Sequence, residues 1–351
     1  MTDYLNRYKD KVILITGGAG AIGSNLTRVI SQLGAKLVIV LDNLSSAERW
    51  NIPRLPNVLF VEGDVRDEEK LKRVFSEKPQ YVFHLAAFFA NQNSIDHPET
   101  DLAVNGLGTL KLLQYSYLIG VQRFIYTSSG CSIYGSKNSL PLTEEYMSLK
   151  LSTPYQITKM LGELYCNFFH HHYGLPVVEA RLFNSYGPGE IPGQYRNVIP
   201  NFTYWALRGE PLPITGSGEE TRDFTYVADI VDGLLRAGYF EAAIGQAINL
   251  ASSIETRITD LAQNINELAG NTAGTLFVPS RKWDTKKRLV ASVAKAKELI
   301  GYEPRTELKT GLQNVVTWFR DNWKNIENAA SFEPGMSSAV RNKGNQASSP
   351  A

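Results

Sequence analysis

The stretch that most constrains this chain is Lys11-Val-Ile-Leu-Ile-Thr16, running straight into Gly17-Gly-Ala-Gly20-Ala-Ile-Gly23. A short, purely apolar run of this kind predicts a strand buried on both faces, the habit of a parallel sheet. The glycines then turn the chain into a helix. Gly17 permits the tight turn, Gly20 lets the backbone approach a bound group, and Gly23 allows close helix–sheet packing. The helix start offers free N–H groups and a partial positive charge, so strand, turn and helix together predict a pyrophosphate site.

Asp42 lies nineteen residues beyond Gly23, at the end of the second predicted strand. A carboxylate there accepts hydrogen bonds from the ribose hydroxyls of a dinucleotide and repels an added 2′-phosphate, which favours NAD over NADP. Arg49, seven residues on, is a cation that argues the other way.

Apolar runs at 36–41, 58–61, 81–85, 123–127 and 177–181 predict further strands, and 24–33, 68–76, 100–119 and 155–173 predict helices. Alternation of this kind argues for an α/β fold: a doubly wound parallel (Rossmann) sheet covered by helices on both faces. Residues 1–183 are assigned to this domain, with the segment at about 224–254 expected to return to its sheet. After Asn184 the alternation breaks at Gly187-Pro-Gly-Glu-Ile-Pro-Gly193 and Gly209-Glu-Pro-Leu-Pro213. Residues 184–223 and 255–330 are therefore assigned to a smaller α/β substrate-binding domain. The Ser-, Gly-, Asn- and Pro-rich tail at 331–351 is expected to be disordered.

Composition narrows the class of partner. A net charge of +1 gives no reason to expect nucleic acid or a membrane surface. No apolar run approaches the ~20 residues of a spanning helix, and the first ten residues lack the apolar core of a secretion signal. Cys131 and Cys166 are too few for a disulfide framework or a cysteine-based metal site. A cytoplasmic, reduced protein without a metal is expected.

A second constellation is Thr153-Pro-Tyr155-Gln-Ile-Thr-Lys159. Residues four apart share a helix face, so the ammonium of Lys159 can lie near the phenol of Tyr155. A nearby cation favours the ionised phenol and is expected to lower its pKa from the usual ~10, making Tyr155 a usable proton acceptor. Ser152 or Thr153 can cap this helix, and Pro154 suits its first turn.

Further motifs follow in order: Gly63-Asp64-Val65-Arg66-Asp67, His84-Leu85-Ala86-Ala87, Thr127-Ser128-Ser129, Arg181-Leu-Phe-Asn184-Ser-Tyr-Gly-Pro188 and Arg222-Asp223-Phe-Thr-Tyr-Val-Ala-Asp229. With the glycine turn, Asp42-Asn43 and the Tyr155/Lys159 pair, they make residues 11–318 resemble the extended short-chain dehydrogenase/reductase family of nucleotide-sugar epimerases and dehydratases. The likeness is greatest to UDP-sugar 4-epimerases. It implies NAD as cofactor, a nucleotide-sugar (a UDP-sugar foremost) as substrate, and a homodimer. Gly17, Gly20, Ala21, Ile22, Gly23, Asp42, Asn43, Asp64, Val65, Leu85, Ala86, Ala87 and Asn105 would then belong to the cofactor site, together with Tyr155 and Lys159. In it Asp64 and Val65 would meet the adenine, and Asn105 would help hold the chain near the active site. Ser129, Asn184, Val198, Arg222 and Arg281 would bind the nucleotide-sugar, an arginine fork being suited to phosphate oxygens.

The same resemblance makes Ser129, Tyr155 and Lys159 the catalytic set. Ser129 would hydrogen-bond the reacting oxygen, Tyr155 would take its proton while NAD takes hydride, and Lys159 would stabilise the phenolate. Dehydratases and decarboxylases of the family carry an acidic residue just after the Ser/Thr. Here Thr127-Ser-Ser-Gly-Cys-Ser-Ile-Tyr134-Gly135 holds no carboxylate. Epimerisation needs only hydride return to the opposite face, so a 4-epimerase of the UDP-glucose/UDP-galactose type is expected. The alternatives are a 4,6-dehydratase or UDP-glucuronate decarboxylase drawing its acid from Glu144 or Glu145, and a non-catalytic NAD-binding regulator. The spacing from Ser129 to Tyr134 is one residue longer than in common hexose epimerases, so Ser132 or Cys131 can share the Ser129 role. Phe88-Phe89 stands where a polar or basic residue is usual.

Two features invite less. His170-His171-His172 ends a helix and cannot converge on one ion, because successive side chains point ~100° apart. Ile157, Met160, Leu161, Leu164 and Phe168, with Leu102, Leu107, Leu110 and Leu113, follow helical spacing and suit either core or a dimer seam.

Overall fold

The computed structural model describes residues 4–135, 139–281, 284, 286–330 and 332. The tail expected to be disordered lies outside the described residues, Phe332 apart. Seven strands form one sheet: β1 (Val12–Thr16), β2 (Leu37–Asp42), β3 (Val58–Glu62), β4 (Tyr81–His84), β5 (Arg123–Ser129), β6 (Val177–Leu182) and β7 (Ala247–Leu250). Their order is β7-β6-β5-β4-β1-β2-β3, and every adjacent pair is parallel. β1 pairs with β2 on one side and β4 on the other, with Thr16 opposite both Leu41 and His84. That is the topological switch point, where doubly wound sheets open a crevice beyond their carboxyl ends.

The strands are contiguous apolar runs because helices cover both faces. On one face the helices Ala21–Gln32 and Val227–Tyr239 bury Leu26, Ile30, Ile230 and Leu234 against Ile13, Ile15 and Phe83. On the other, Glu68–Ser76, Thr109–Ile119 and Pro154–Tyr173 bury Leu71, Leu112, Leu113 and Phe169. A further core joins the helices Val198–Leu207, Ile258–Ala269 and Leu308–Asp321 through Phe202, Trp205, Leu261, Ile265 and Phe319. The helix predicted over 100–119 is less regular than its pattern suggests. Its stretch Leu102–Gly108 is π-helical, a geometry often found at functional sites.

A buried ion pair locks the Pro154–Tyr173 helix to the sheet. Arg181 of β6 donates from Nε and Nη2 to the two oxygens of Glu163, at 3.0 and 2.8 Å. Its Nη1 reaches the Tyr134 hydroxyl and the Glu144 carbonyl, each at 3.1 Å. Both members are buried, Glu163 completely. Removing one partner strands the other charge, so Glu163→Ala is expected to destabilise the fold by about 3–5 kcal/mol. Urea unfolding checks this; a loss below about 1 kcal/mol, the scale of an exposed pair, contradicts it.

Candidate active site

The carboxyl ends of the strands feed one cavity of about 520 Å³ that runs from the glycine turn, past Tyr155, to Arg222 and Arg281. At its start Gly17 has φ +71°, and a Cβ on it would sit 2.6 Å from the Ala86 nitrogen. A Cβ on Gly23 would lie 2.2 Å from the Gly17 carbonyl oxygen. At Gly20 nothing is nearer than that same oxygen at 3.3 Å, and no side chain caps the helix that begins at Ala21. Backbone donors at an uncapped helix start, in a cradle that side chains would fill, fit a dinucleotide diphosphate. Ala21 and Ile22 line the cavity beside them.

One end of the cavity is built from the carboxyl ends of β2 and β3. Asp42 accepts from the Ala19 and Leu44 N–H groups, both at 2.9 Å. Burial raises its carboxyl, opposed by these two bonds and by the charge of Arg196. Arg49, the cation that argued for NADP, is paired with Glu62 and lies 4.9 Å over the Phe60 ring. Asp64 accepts from Arg66 at 2.8 and 2.9 Å and from the Asn43 amide at 2.8 Å. Burial works upward on Asp64, but these bonds hold its carboxyl below the usual range. Asn43, Val65, Leu85, Ala86 and Ala87 also line the cavity.

Asn105 does not line it. It sits buried in the π-helical stretch behind the chain, accepting from the Phe88 N–H at 2.8 Å and donating to Asp101 at 2.8 Å. Any service to the cofactor is therefore indirect, through the Phe88 backbone. Asp101 in turn accepts from Thr158 at 2.7 Å. Burial pushes its carboxyl up to about 6, against the Thr158 bond and the Lys159 charge. His84 accepts at Nδ1 from Thr16 and donates from Nε2 to Thr109, each at 2.8 Å, an assignment fixed by Thr109 donating to the Asn105 carbonyl. Burial pulls His84 down to about 3, so it is neutral.

Thr153 caps the Pro154–Tyr173 helix, accepting from the Gln156 N–H at 3.4 Å, and Pro154 opens it. Tyr155 and Lys159 therefore point together into the cavity, both buried. The Lys159 ammonium lies 5.8 Å from the centre of the Tyr155 ring, yet it donates to the Thr127 carbonyl at 2.9 Å. The expected lowering of the Tyr155 pKa is not found in the protein alone. Burial pushes the phenol up, Asp101 and Cys131 push the same way, and only a hydrogen bond with Ser129 opposes them. The surface logic of a lysine one turn away omits the desolvation that a buried phenolate suffers.

Ser129 ends β5 and accepts from the Ser132 hydroxyl at 3.0 Å, so Ser132 joins the Ser129–Tyr155 pair. Cys131 lines the cavity, and burial pushes its thiol up. Phe89 packs edge-on against Tyr155, with ring centres 5.9 Å apart. Glu144 is turned away, accepting from the Asn249 N–H at 2.8 Å, and Glu145 is exposed; neither lines the cavity.

At the far end, Asn184 donates to the Asp223 carbonyl at 3.0 Å, and Val198 opens a helix that borders the cavity. Asp284 holds Arg222 through two bonds at 2.9 and 3.0 Å. Arg281 and Lys286 line the same end, so three cations face it together with the carboxylates of Asp284 and Glu220. Sequence reading missed Lys286, Asp101, Glu190 and Arg196. The last two sit in a Gly/Pro-rich loop whose composition carries no sign of buried charge.

His170 stands in the last turn of its helix, with Nδ1 facing the Leu175 carbonyl at 3.0 Å. Met160 and Leu113 are core, whereas Leu102, Leu107, Ile157, Leu164 and Phe168 are exposed. Among the described residues no helix is long and apolar enough to cross a membrane.

Burial pulls Lys159 down to about 8, against Asp101 and Glu163. Below that pH both folded and unfolded chains carry the ammonium, and the folded chain bears the whole burial cost. Between about 8 and the unfolded ~10.4 only the unfolded chain holds the proton, so stability rises with pH across this window. Lys159→Met removes a cost on the order of 3 kcal/mol. It is expected to melt above the parent near neutral pH, with the gap closing as the pH approaches ~10. Melting scans across this range check the sign; a gap independent of pH contradicts it.

The model of the NAD-dependent epimerase/dehydratase family matches residues 13–251. An epimerase structure from the thermophilic methanogen Methanothermobacter thermautotrophicus is 55% identical, covers 94% of this chain and 98% of its own, and superposes with a TM-score of 0.93. The UDP-glucose 4-epimerase of Thermotoga maritima, solved with UDP-glucose, is 37% identical over 89% of this chain and 99% of its own, with a TM-score of 0.85. A UDP-N-acetyl-alpha-D-glucosaminuronate decarboxylase of Bacillus cytotoxicus is 31% identical over 89% of this chain and 98% of its own. The chain belongs to the NAD-dependent epimerase/dehydratase family and is an NAD-dependent enzyme.

Proposed function

We propose that the chain is a UDP-sugar 4-epimerase of the UDP-glucose/UDP-galactose type. The observation that carries this reading is the absence of a carboxylate between Ser129 and Tyr134, with Glu144 and Glu145 both away from the cavity. The Ser129–Tyr134 loop offers elimination or decarboxylation no acid, and the buried carboxyl that the cavity does hold, Glu190, comes from another loop, where it accepts from Asn197; proton removal and return need none beyond Tyr155. Residues 1–183 with 224–254 hold NAD, and 184–223 with 255–330 hold the nucleotide-sugar.

NAD supplies the hydride acceptor and donor when bound. Tyr155 Oη takes the proton of the sugar 4-hydroxyl, and the same atom returns it once the 4-keto sugar has presented its other face. Ser129, itself oriented by Ser132, hydrogen-bonds the reacting oxygen and the phenol. Lys159, whose ammonium lies 5.8 Å from the centre of the Tyr155 ring, is the cation assigned to stabilise the phenolate once the proton is taken. Arg222, Arg281 and Lys286 give the diphosphate paired, charge-assisted bonds, with Asn184 and Val198 beside them. The exposed stripe of Ile157, Leu164, Phe168, Leu102 and Leu107 forms the seam of a homodimer.

Tyr155→Phe and Ser129→Ala are each expected to lower kcat by roughly a hundred- to ten-thousand-fold on a UDP-sugar, with the fold intact. Unchanged turnover overturns the assignment. Incubation with UDP-, dTDP-, CDP- and GDP-sugars, followed by mass spectrometry, is expected to yield a UDP-sugar product of unchanged mass. A product lighter by water or carbon dioxide makes the chain a dehydratase or decarboxylase. Light scattering is expected to give twice the 39.1 kDa subunit mass, and a value near one subunit rejects the seam.

A further inference from the structure

Behind the face that Tyr155 and Lys159 present to the cavity lies a carboxylate. Asp101 ends the short helix Pro98–Asp101, where the π-helical stretch begins, and its side chain is buried. Its Oδ1 accepts from the Asn105 amide at 2.8 Å and its Oδ2 from the Thr158 hydroxyl at 2.7 Å. The Phe88 N–H donates to the Asn105 oxygen at 2.8 Å and so orients that amide, whose nitrogen faces Asp101 as a donor. Thr158 stands on the helix of Tyr155 and Lys159, next to the lysine. A carboxylate held in this way has a fixed place relative to both.

Both hydrogen-bond partners of Asp101 are neutral, whereas Glu163, the other carboxylate near Lys159, is already paired with Arg181. Burial works against the Lys159 ammonium and against the Tyr155 phenolate. Of the nearby charges, Asp101 does most to favour the ammonium and most to oppose the phenolate. The other titratable groups facing the pair are Cys166 on the same helix, Tyr126 on β5, Cys131 just after β5 and His84 on β4. Burial pushes both thiols and Tyr126 up and pulls His84 down, so all four are uncharged near neutral pH. A fixed negative charge beside two such groups favours the protonated form of each.

We propose that Asp101 is a positioning residue for the proton transfer: clamped between Asn105 and Thr158, its carboxylate holds the pair proton-loaded, with Lys159 an ammonium and Tyr155 a phenol. Ionisation of Tyr155 is then left to the charge that NAD brings when bound. This role rests on Tyr155 and Lys159 being the reacting pair and is independent of the sugar they act on.

Asp101→Asn removes the charge and keeps the shape. Its amide nitrogen can donate to Thr158, whose own proton then turns to the Tyr155 carbonyl at 3.3 Å. With NAD saturating, the near-ultraviolet absorbance of tyrosinate is titrated in the parent, Asp101→Asn and Thr158→Val. Each is read against the same protein carrying Tyr155→Phe, so that one phenol is followed. Asp101→Asn is expected to lower the Tyr155 midpoint by about one pH unit or more, a tenfold change in ionisation. It is also expected to lower the pH at which the melting gap opened by Lys159→Met begins to close. Thr158→Val, which takes one bond from the carboxylate and so favours its neutral form, is expected to move both readings the same way by less. If Asp101→Asn does not fold, Thr158→Val decides; if the parent phenol ionises only where the fold is lost, the Lys159 gap decides. Unmoved readings in folded variants overturn the proposal, whatever happens to stability. A different sugar or reaction class leaves these titrations as they are, so the two readings fail separately.

Discussion

The buried fork between Arg181 and Glu163 sets the geometry on which the cleft depends. Glu163 lies one helical turn beyond Lys159 and two beyond Tyr155 on the same helix. Arg181 sits on β6 opposite Ser128, one residue from the register position that pairs with Ser129. Each carboxylate oxygen has its own N–H donor, so the helix can neither roll about its axis nor slide along the sheet without breaking a bond. Tyr155 and Ser129 come from different elements, and this pair is what holds the two in register. Such pairs add little net stability after desolvation. Here the gain is directional.

In the cleft and just behind it, burial pushes ionisable groups toward their neutral forms. Burial moves Lys159 to about 8, Asp101 to about 6 and His84 to about 3. His84, the first residue of a recognisable motif, acts as a brace. It joins the ends of β1 and β4 to the Thr109–Ile119 helix through two hydroxyls. A buried site leaves charge to be compensated by what binds there, and NAD, cationic at its nicotinamide ring, would supply compensation of the right sign for a phenolate.

Much of this was legible from local pattern. Buried parallel strands are contiguous apolar runs, so β1 to β6 stand out. The glycine turn, Asp42 and the Tyr155/Lys159 pair are readable because each motif is local. β7 reads poorly on its own, since Ala-Ile-Asn-Leu carries a buried Asn249 whose partners are far away in sequence. The π-helical stretch is invisible because its Asn105 answers to the Phe88 backbone, a tertiary demand. Arg196, Glu190 and Lys286 are likewise set by where loops land. The Tyr155 pKa misled because helix spacing reports proximity and says nothing of burial.

β7 has a consequence for how the protein is made. The strand that completes the sheet, and the Val227–Tyr239 helix that covers one of its faces, both follow the loop-rich excursion after β6. A nascent chain that has just released residue 183 therefore presents β6 as an open edge, with Ile13, Ile15 and Phe83 only partly covered. Exposed edges and uncovered apolar faces are where growing chains mispair. The seven-stranded sheet can be completed only once Leu250 has left the ribosome. For the same reason a gene split near residue 183 separates six strands of the sheet from the seventh, however clean that boundary looks on paper.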